Sequence, residues 1–314
     1  MSMEHTEQYI KSQLFELLQS DSNDYSQILT LSNELAQMDK KNIRFSVDAG
    51  IITRLGKELV GKGETAISEL IKNAYDADAT YVNLIFKNAF RPGGTLIIED
   101  DGCGMNYEEL VNGFMRISSS DKIHNPITFK YKRKKAGRKG IGRFATQRLG
   151  QTLTIITQKE ESDLAIQTSI NWNNFGIDQD LANITSEVQY IPKKRNKGTT
   201  LVIQDLQDAW SDAAIMRAYK YTDSLLLPEP LSKERIKWDA NRQDPGFKAQ
   251  LYRDSISEDN LIINEDVAFL NHALAIIEGY IDEQGHGFWK VCSDKIEIPY
   301  TNYTPIGSTR DEDI

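Results

Sequence analysis

The chain has 314 residues, of which 39% are hydrophobic and 26% charged, with a net charge of −9. That length suits about two domains, and the composition is that of a globular protein with ample material for a core. Three classes are disfavoured: no apolar run approaches the roughly 18 residues of a membrane span, MSMEHTEQYI is not a secretory signal, and the acidic balance argues against a whole-surface nucleic-acid binder.

In chain order, residues 1–41 predict a polar helical arm. Ile10, Leu14 and Leu17 form one stripe, Ile28, Leu31, Leu35 and Met38 a second, and SDSND at 20–24 separates them. The second stripe is too short for a coiled coil, so packing on the main domain or on a partner chain is the expected use. Residues 42–210 read as the main domain. In SELIKNAYDADAT (68–80), helical winding gathers Ile67, Leu70, Ile71, Ala74 and Ala77 on one side and Glu69, Asn73 and Asp76 on the other. An ordinary wet face carries long side chains of mixed sign. This one carries an acid, an amide and an acid, one turn apart.

A strand is expected at 80–87, a turn at NAFRPGG, a strand at 95–99, a turn at DDGCGM and a helix at 106–117. A basic segment (129–148) leads into a helix that starts near Ile141 and ends at Leu149-Gly150. Further strands are expected at 152–158, 164–170, 185–191 and 199–206. Segregated helices and hairpin-like strands predict an α+β domain, with a mixed, mostly antiparallel sheet and helices on one face. Beyond 210 the reading is a helix at 212–227 ending at PEP, a polar stretch with DANRQDPG, and strands at ALAIIEGYI and FWKVC. Residues 211–314 are taken as a second domain, and the ending STRDEDI as a sign of truncation.

The two cysteines, Cys103 and Cys292, are not expected to pair in a reducing compartment. The four histidines (His5, His124, His272, His286) are scattered and no zinc-ligand spacing occurs. A cytoplasmic location is expected.

Two glycine-rich stretches imitate nucleotide motifs and fail on context. GKELVGKG (56–63) has Gly63 where a P-loop needs Ser or Thr and lacks a preceding strand; GIGRFA (140–145) follows a lysine-rich loop instead of a strand. Taken together, other segments carry more. IIEDDGCGMN puts Asp100 after an apolar strand and Gly102 and Gly104 in a turn. GRKGIG (Gly137, Gly140, Gly142) runs into a helix, whose start has unpaired N–H groups suited to phosphate. KGTTLVI puts Thr199 at the start of a strand.

E-x-x-x-N-A-x-D-A at 69–77, D-x-G-x-G-M at 100–105, G-x-x-G-x-G at 137–142 and G-T at 198–199 occur in this order. The set resembles the four nucleotide-binding boxes of the GHKL ATPases: gyrase B subunits, heat-shock chaperones of the Hsp type, sensor histidine kinases and mismatch-repair MutL. The resemblance covers roughly residues 43–206. It implies a Bergerat-type two-layer α/β sandwich that binds ATP and Mg2+. Asn73 would bind the metal and Glu69 would act as general base on the attacking water. Asp76, beside Ala77, would lie toward the base or brace the helix. Asp100 would accept the adenine amino proton, with Gly102 and Gly104 allowing close approach, Met105 beside the ring and Thr199 in support. Gly140, Ile141 and Gly142 would cradle the phosphates, with Lys139 or Arg138 as charge partners.

A sensor kinase is disfavoured, because His5 is the only upstream phosphoacceptor candidate and GRKGIGRFATQRLG resembles the MutL and heat-shock type. IRFSVDAGIITRLG, AISELIKNAYDADATYV and FMRISSSDK look like the MORC-like, MutL-like and uncharacterised prokaryotic group. That resemblance implies a transducer-like second domain and a lid at about 106–139 whose basic residues are drawn to the triphosphate. It also implies an ATP-dependent homodimer clamp and a γ-phosphate lysine beyond 210, with Lys233 and Lys290 as candidates. A DNA or protein client would be engaged, with a role in DNA repair or defence by association. The competing reading is an ATP-assembled binding module or chaperone-like protein with negligible turnover.

Overall fold

The computed structural model describes residues 7–20, 24–42, 45–116, 125–137, 142–220, 244–263, 275–293 and 302–306. They fall into two compact units, Met1–Ile262 and Ile263–Ile314.

The first unit is organised by a sheet. Its strands are β1 (Tyr81–Lys87), β2 (Thr95–Asp100), β3 (Gly150–Gln158), β4 (Leu164–Asn171), β5 (Val188–Pro192), β6 (Gly198–Leu206), β7 (Lys248–Arg253) and β8 (Leu261–Ile263). The order across the sheet is β5-β4-β3-β6-β2-β1-β7-β8. The pairs from β5 to β1 are antiparallel, and β1 with β7 is parallel. The expected mixed, mostly antiparallel sheet is therefore what forms.

Period-two alternation turns one face of the central strands inward. Register aligns those residues in rows. Phe86, Leu96, Ile203 and Leu153 lie side by side across β1, β2, β6 and β3, and Leu84, Ile98, Leu201 and Ile155 form the next row. All eight are buried, each fully buried side chain contributing about 1.5–3 kcal/mol. One step further along the same face the chemistry changes. Val82 pairs with Asp100 and Thr157 with Thr199. The third row is thus the polar edge of the apolar core.

Helices cover this layer. α1 (Glu7–Gln19) and α2 (Tyr25–Gln37) pack together, and Asp24 caps α2 by accepting from the Gln27 N–H at 3.0 Å. α3 (Gly50–Leu59) was absent from the expectations, because glycines at 50 and 56 mask its amphipathic stripe. α4 (Gly63–Asp76) buries Ala66, Ile67, Leu70, Ile71 and Ala74. α5 (Gly142–Leu149) and α6 (Asp212–Lys220) pack against α4, and α5 also meets β3 and β6. Gly63, which imitated the end of a P-loop, opens α4, where a side chain would strike the Trp210 ring at 2.8 Å.

Two expectations change in detail. The helix at 106–117 is one capped turn, Tyr107–Glu109, followed by a π-helical stretch, Leu110–Met115. That stretch buries only Leu110 and contains Gly113, so little favours regular winding. The helix at 212–227 is seen over Asp212–Lys220, and its remainder lies outside the described residues. β7 was not foreseen. It adds residues from beyond position 210 to the sheet by pairing with β1.

In the second unit β9 (Ile276–Ile281) and β10 (Gly287–Cys292) form an antiparallel hairpin, joined by β11 (Thr304–Pro305). Tyr280 stacks on Phe288 with ring centres 5.0 Å apart. Cys103 and Cys292 are both free, and no described helix is long and apolar enough to cross a membrane.

Candidate active site

The third row of the sheet face builds one end of the site. Asp100, the last residue of β2, is 8% exposed. Its Oδ1 accepts from the Gly102 N–H at 2.9 Å and the Thr199 N–H at 3.3 Å. Its Oδ2 takes no hydrogen bond among the described residues. Burial pushes its carboxyl up to about 6, against the lowering pull of the Gly102 and Thr199 bonds and of the Arg195 charge. Thr157 Oγ1 accepts from the Met105 N–H at 2.8 Å and lies 3.1 Å from Thr199 Oγ1. One buried hydroxyl on β3 therefore joins the turn after β2 to the start of β6.

Two glycines make this closeness feasible. Gly104 has φ +66°, and a Cβ there would collide with the Gln158 carbonyl. Gly198 has φ +112°, and a Cβ there would collide with the Asp100 carbonyl. The Cys103 N–H donates to the Ala77 carbonyl at 2.8 Å, which ties the turn to the end of α4.

The polar side of α4 builds the other end. Glu69, Asn73 and Asp76 are all half-buried. Glu69 pairs with Lys72 at 2.9 Å. Asp76 Oδ1 accepts from the Ala136 N–H at 2.7 Å and Oδ2 from the Gly137 N–H at 3.2 Å. Asp78, in a left-handed conformation, accepts from the N–H groups of Lys130 and Tyr131 at 2.7 and 3.1 Å. The strap 125–137 thus lies along the C-terminal end of α4 and leads into the second glycine set.

Arg133 locks the strap. It is 2% exposed and holds Asp244 with two bonds, from Nε at 2.8 Å and Nη2 at 2.6 Å. It also donates to the Ala79 and Gly246 carbonyls, and Tyr75 and Tyr131 flank the guanidinium. One arginine of the basic run is therefore an internal tie.

The strands bring Asp100, Gly102, Gly104, Met105 and Thr199 together, with Ala77 at the adjoining helix end. Lys139, Gly140 and Ile141, like Arg138, lie outside the described residues, and Gly142 opens α5. Lys233 also lies outside them. Lys290 pairs with Glu278 at 2.7 Å and sits over the Tyr303 ring within the second unit.

Residues 62–205 match the family described as histidine kinase-, DNA gyrase B-, and HSP90-like ATPase. The chain carries a GHKL-type ATPase domain. None of the curated proteins compared with the chain matches it. The chemistry of this family is ATP binding and, in general, ATP hydrolysis, and the matched segment contains both ends of the site.

Thr157, Asp78, Arg133 and Arg195, which tie these segments together, were not foreseen. A signal existed for Thr157, since it continues the buried alternation of Leu153 and Ile155. Arg195, in PKKRNKG, reads as a solvated turn. Among the described residues no three Cys, His, Asp or Glu side chains could enclose a metal by themselves. Magnesium would need no such cluster, because it takes few protein oxygens and completes its octahedron with phosphates and waters. Asn73 carries an amide oxygen on the polar side of α4.

Proposed function

We propose that the domain binds ATP with magnesium, hydrolyses it slowly, and uses closure of the segment between the two glycine sets to switch conformation and bring two copies together. The observation that carries this reading is the Asp100 carboxylate. One oxygen is fixed by two N–H groups and the other has no described donor, in the row that ends the apolar core. An adenine amino group would donate to Oδ2. A guanine would present a carbonyl there, and two acceptors would face each other in a desolvated place.

From α4, Asn73 would hold magnesium, which when bound neutralises charge on the phosphates. Glu69 would hold a water and accept its proton as the water oxygen bonds to the γ-phosphorus and the bond to the β-bridging oxygen breaks. The Lys72–Glu69 pair must open, or turn with the base, for that transfer. It supports slow turnover, and it also favours the alternative, an ATP-assembled binding module with negligible turnover. Residues 1–41 would serve as an arm in docking, and the second unit, Ile263–Ile314, as part of a transducer-like domain.

The test is Glu69→Ala. Turnover should fall on the order of a hundredfold to ten-thousandfold, while calorimetry shows ATP binding intact. Hydrolysis at the wild-type rate removes Glu69 as base. Gel filtration with a non-hydrolysable analogue, run beside the turnover assay, separates a hydrolytic clamp from an assembly module.

A further inference from the structure

We propose that Arg195 is a positioning residue for base recognition: it fixes the end of β2 and holds Asp100 in its accepting, ionised form. The inference rests on the nucleotide reading above and deepens it at one place.

Arg195 lies in the turn between β5 and β6, far from Asp100 in sequence. Its Nη1 donates to the Asp100 backbone carbonyl at 2.8 Å and its Nη2 to Thr200 Oγ1 at 2.6 Å. A planar fork of this kind sets direction as well as distance, which a lysine does not. The guanidinium therefore clips the β5–β6 turn onto the end of β2. Gly198, which crowds the same Asp100 carbonyl, has no side chain to obstruct this approach.

The carboxylate and the carbonyl of one residue are thus held by the start of β6 and by the turn before it: Thr199 N–H on Oδ1, Arg195 on the main chain. With the backbone and Oδ1 both pinned, the direction of Oδ2 is fixed as well.

The two leading charges on the Asp100 carboxylate oppose each other. Arg195 lowers its proton affinity, and Asp101, next on the chain, raises it by a smaller amount. Asp101 is held by the Thr80 and Tyr81 N–H groups at 2.7 and 3.0 Å. The Cys103 thiol, in the following turn, is the other titratable neighbour. Arg195 is then the leading charge that offsets the burial of this acid. Its removal would leave a carboxyl that stays protonated at higher pH, and a protonated Oδ2 offers a proton where an acceptor is needed.

The experiment is calorimetric titration of the whole chain with adenosine between pH 5 and 8.5, for wild type, Arg195→Met and Arg195→Lys. Adenosine carries no phosphate, so the phosphate end and its own titration drop out. Wild type should lose affinity as pH falls through about 6. In Arg195→Met that midpoint should move up by on the order of one pH unit, with affinity approaching wild type at pH 8.5. Arg195→Lys should keep the wild-type midpoint. An Arg195→Met profile with an unmoved midpoint overturns the inference, whether affinity is unchanged or lowered equally at every pH, since equal lowering marks a purely structural tie. If wild type binds no adenosine at any pH, the nucleotide reading itself fails and this inference fails with it.

Discussion

At the Asp100 end, each described group that would meet a base sits on a strand or in the turn beside one, and β-ladder register sets its place. At the Asp76 end, the chain that would meet phosphates enters as a loop, carried by carboxylates projecting from the C-terminal end of α4. The first arrangement continues the core. Asp100, Thr199 and Thr157 are the row after two apolar rows, so packing that holds Ile98, Leu201 and Ile155 holds them too. The second is an added layer, fastened by Asp76, Asp78 and the Arg133–Asp244 pair. The difference teaches that the proposed base end would be inherited from the fold, while the proposed phosphate end would depend on a few charged fasteners outside the sheet.

That comparison is open to attack. The largest expected effect is on the fasteners. Arg133→Ala leaves Asp244 and two carbonyls without their donor, and should destabilise the chain by about 3 kcal/mol. At temperatures where the variant stays folded, adenosine affinity should be kept while that of a non-hydrolysable ATP analogue falls. Equal loss of both ligands in calorimetry would mean that the two ends are not separately held.

Asp100→Asn comes next. The amide oxygen still accepts from Gly102 and Thr199, but an NH2 replaces Oδ2 and would face the adenine amino group, donor against donor. Adenosine affinity should drop on the order of tenfold to a hundredfold, while inosine, with an acceptor there, should lose less. Retained adenosine affinity would remove Asp100 from the base pocket. The same substitution should raise the melting temperature at pH 7, since holding this buried acid ionised costs about 3 kcal/mol by linkage.

The pH dependence follows from that carboxyl. Its pKa lies at about 6 in the fold against 3.8 ordinarily. Its contribution to stability is fully present below 3.8 and is lost as pH rises through about 6. Adenosine binding runs the opposite way, because the ionised form is the acceptor: affinity should climb through about 6 and then level off. Affinity that is flat from pH 5 to 8 would break the assignment.

The smallest effect is expected for Thr157→Val. It keeps the shape and removes the acceptor for Met105 N–H and the partner of Thr199, costing about 1–2 kcal/mol. Adenosine affinity should weaken several-fold. An unchanged value would show that β3 has no part in the base end.

Much of the architecture was legible in the residues alone. Period-two runs announced β1 to β6, and the helix face of 68–80 separated Glu69, Asn73 and Asp76 from its apolar side, because these signals are local. α3 was hidden by its glycines. β7 was hidden because KAQLYR becomes a strand only where β1 offers a free edge.

What the sequence by itself determined is the run of strands β1 to β6, the polar row of α4 and the glycine turns, since each follows from side-chain periodicity or from backbone freedom within a few residues. What only the tertiary structure decided is which charges are fasteners and which face a ligand. Arg133 and Arg195 look alike in two basic runs, yet one is walled in with Asp244 and the other grips the Asp100 carbonyl. The physical reason is that burial and hydrogen-bond partners are set by segments distant along the chain, and a single stretch of sequence does not contain them.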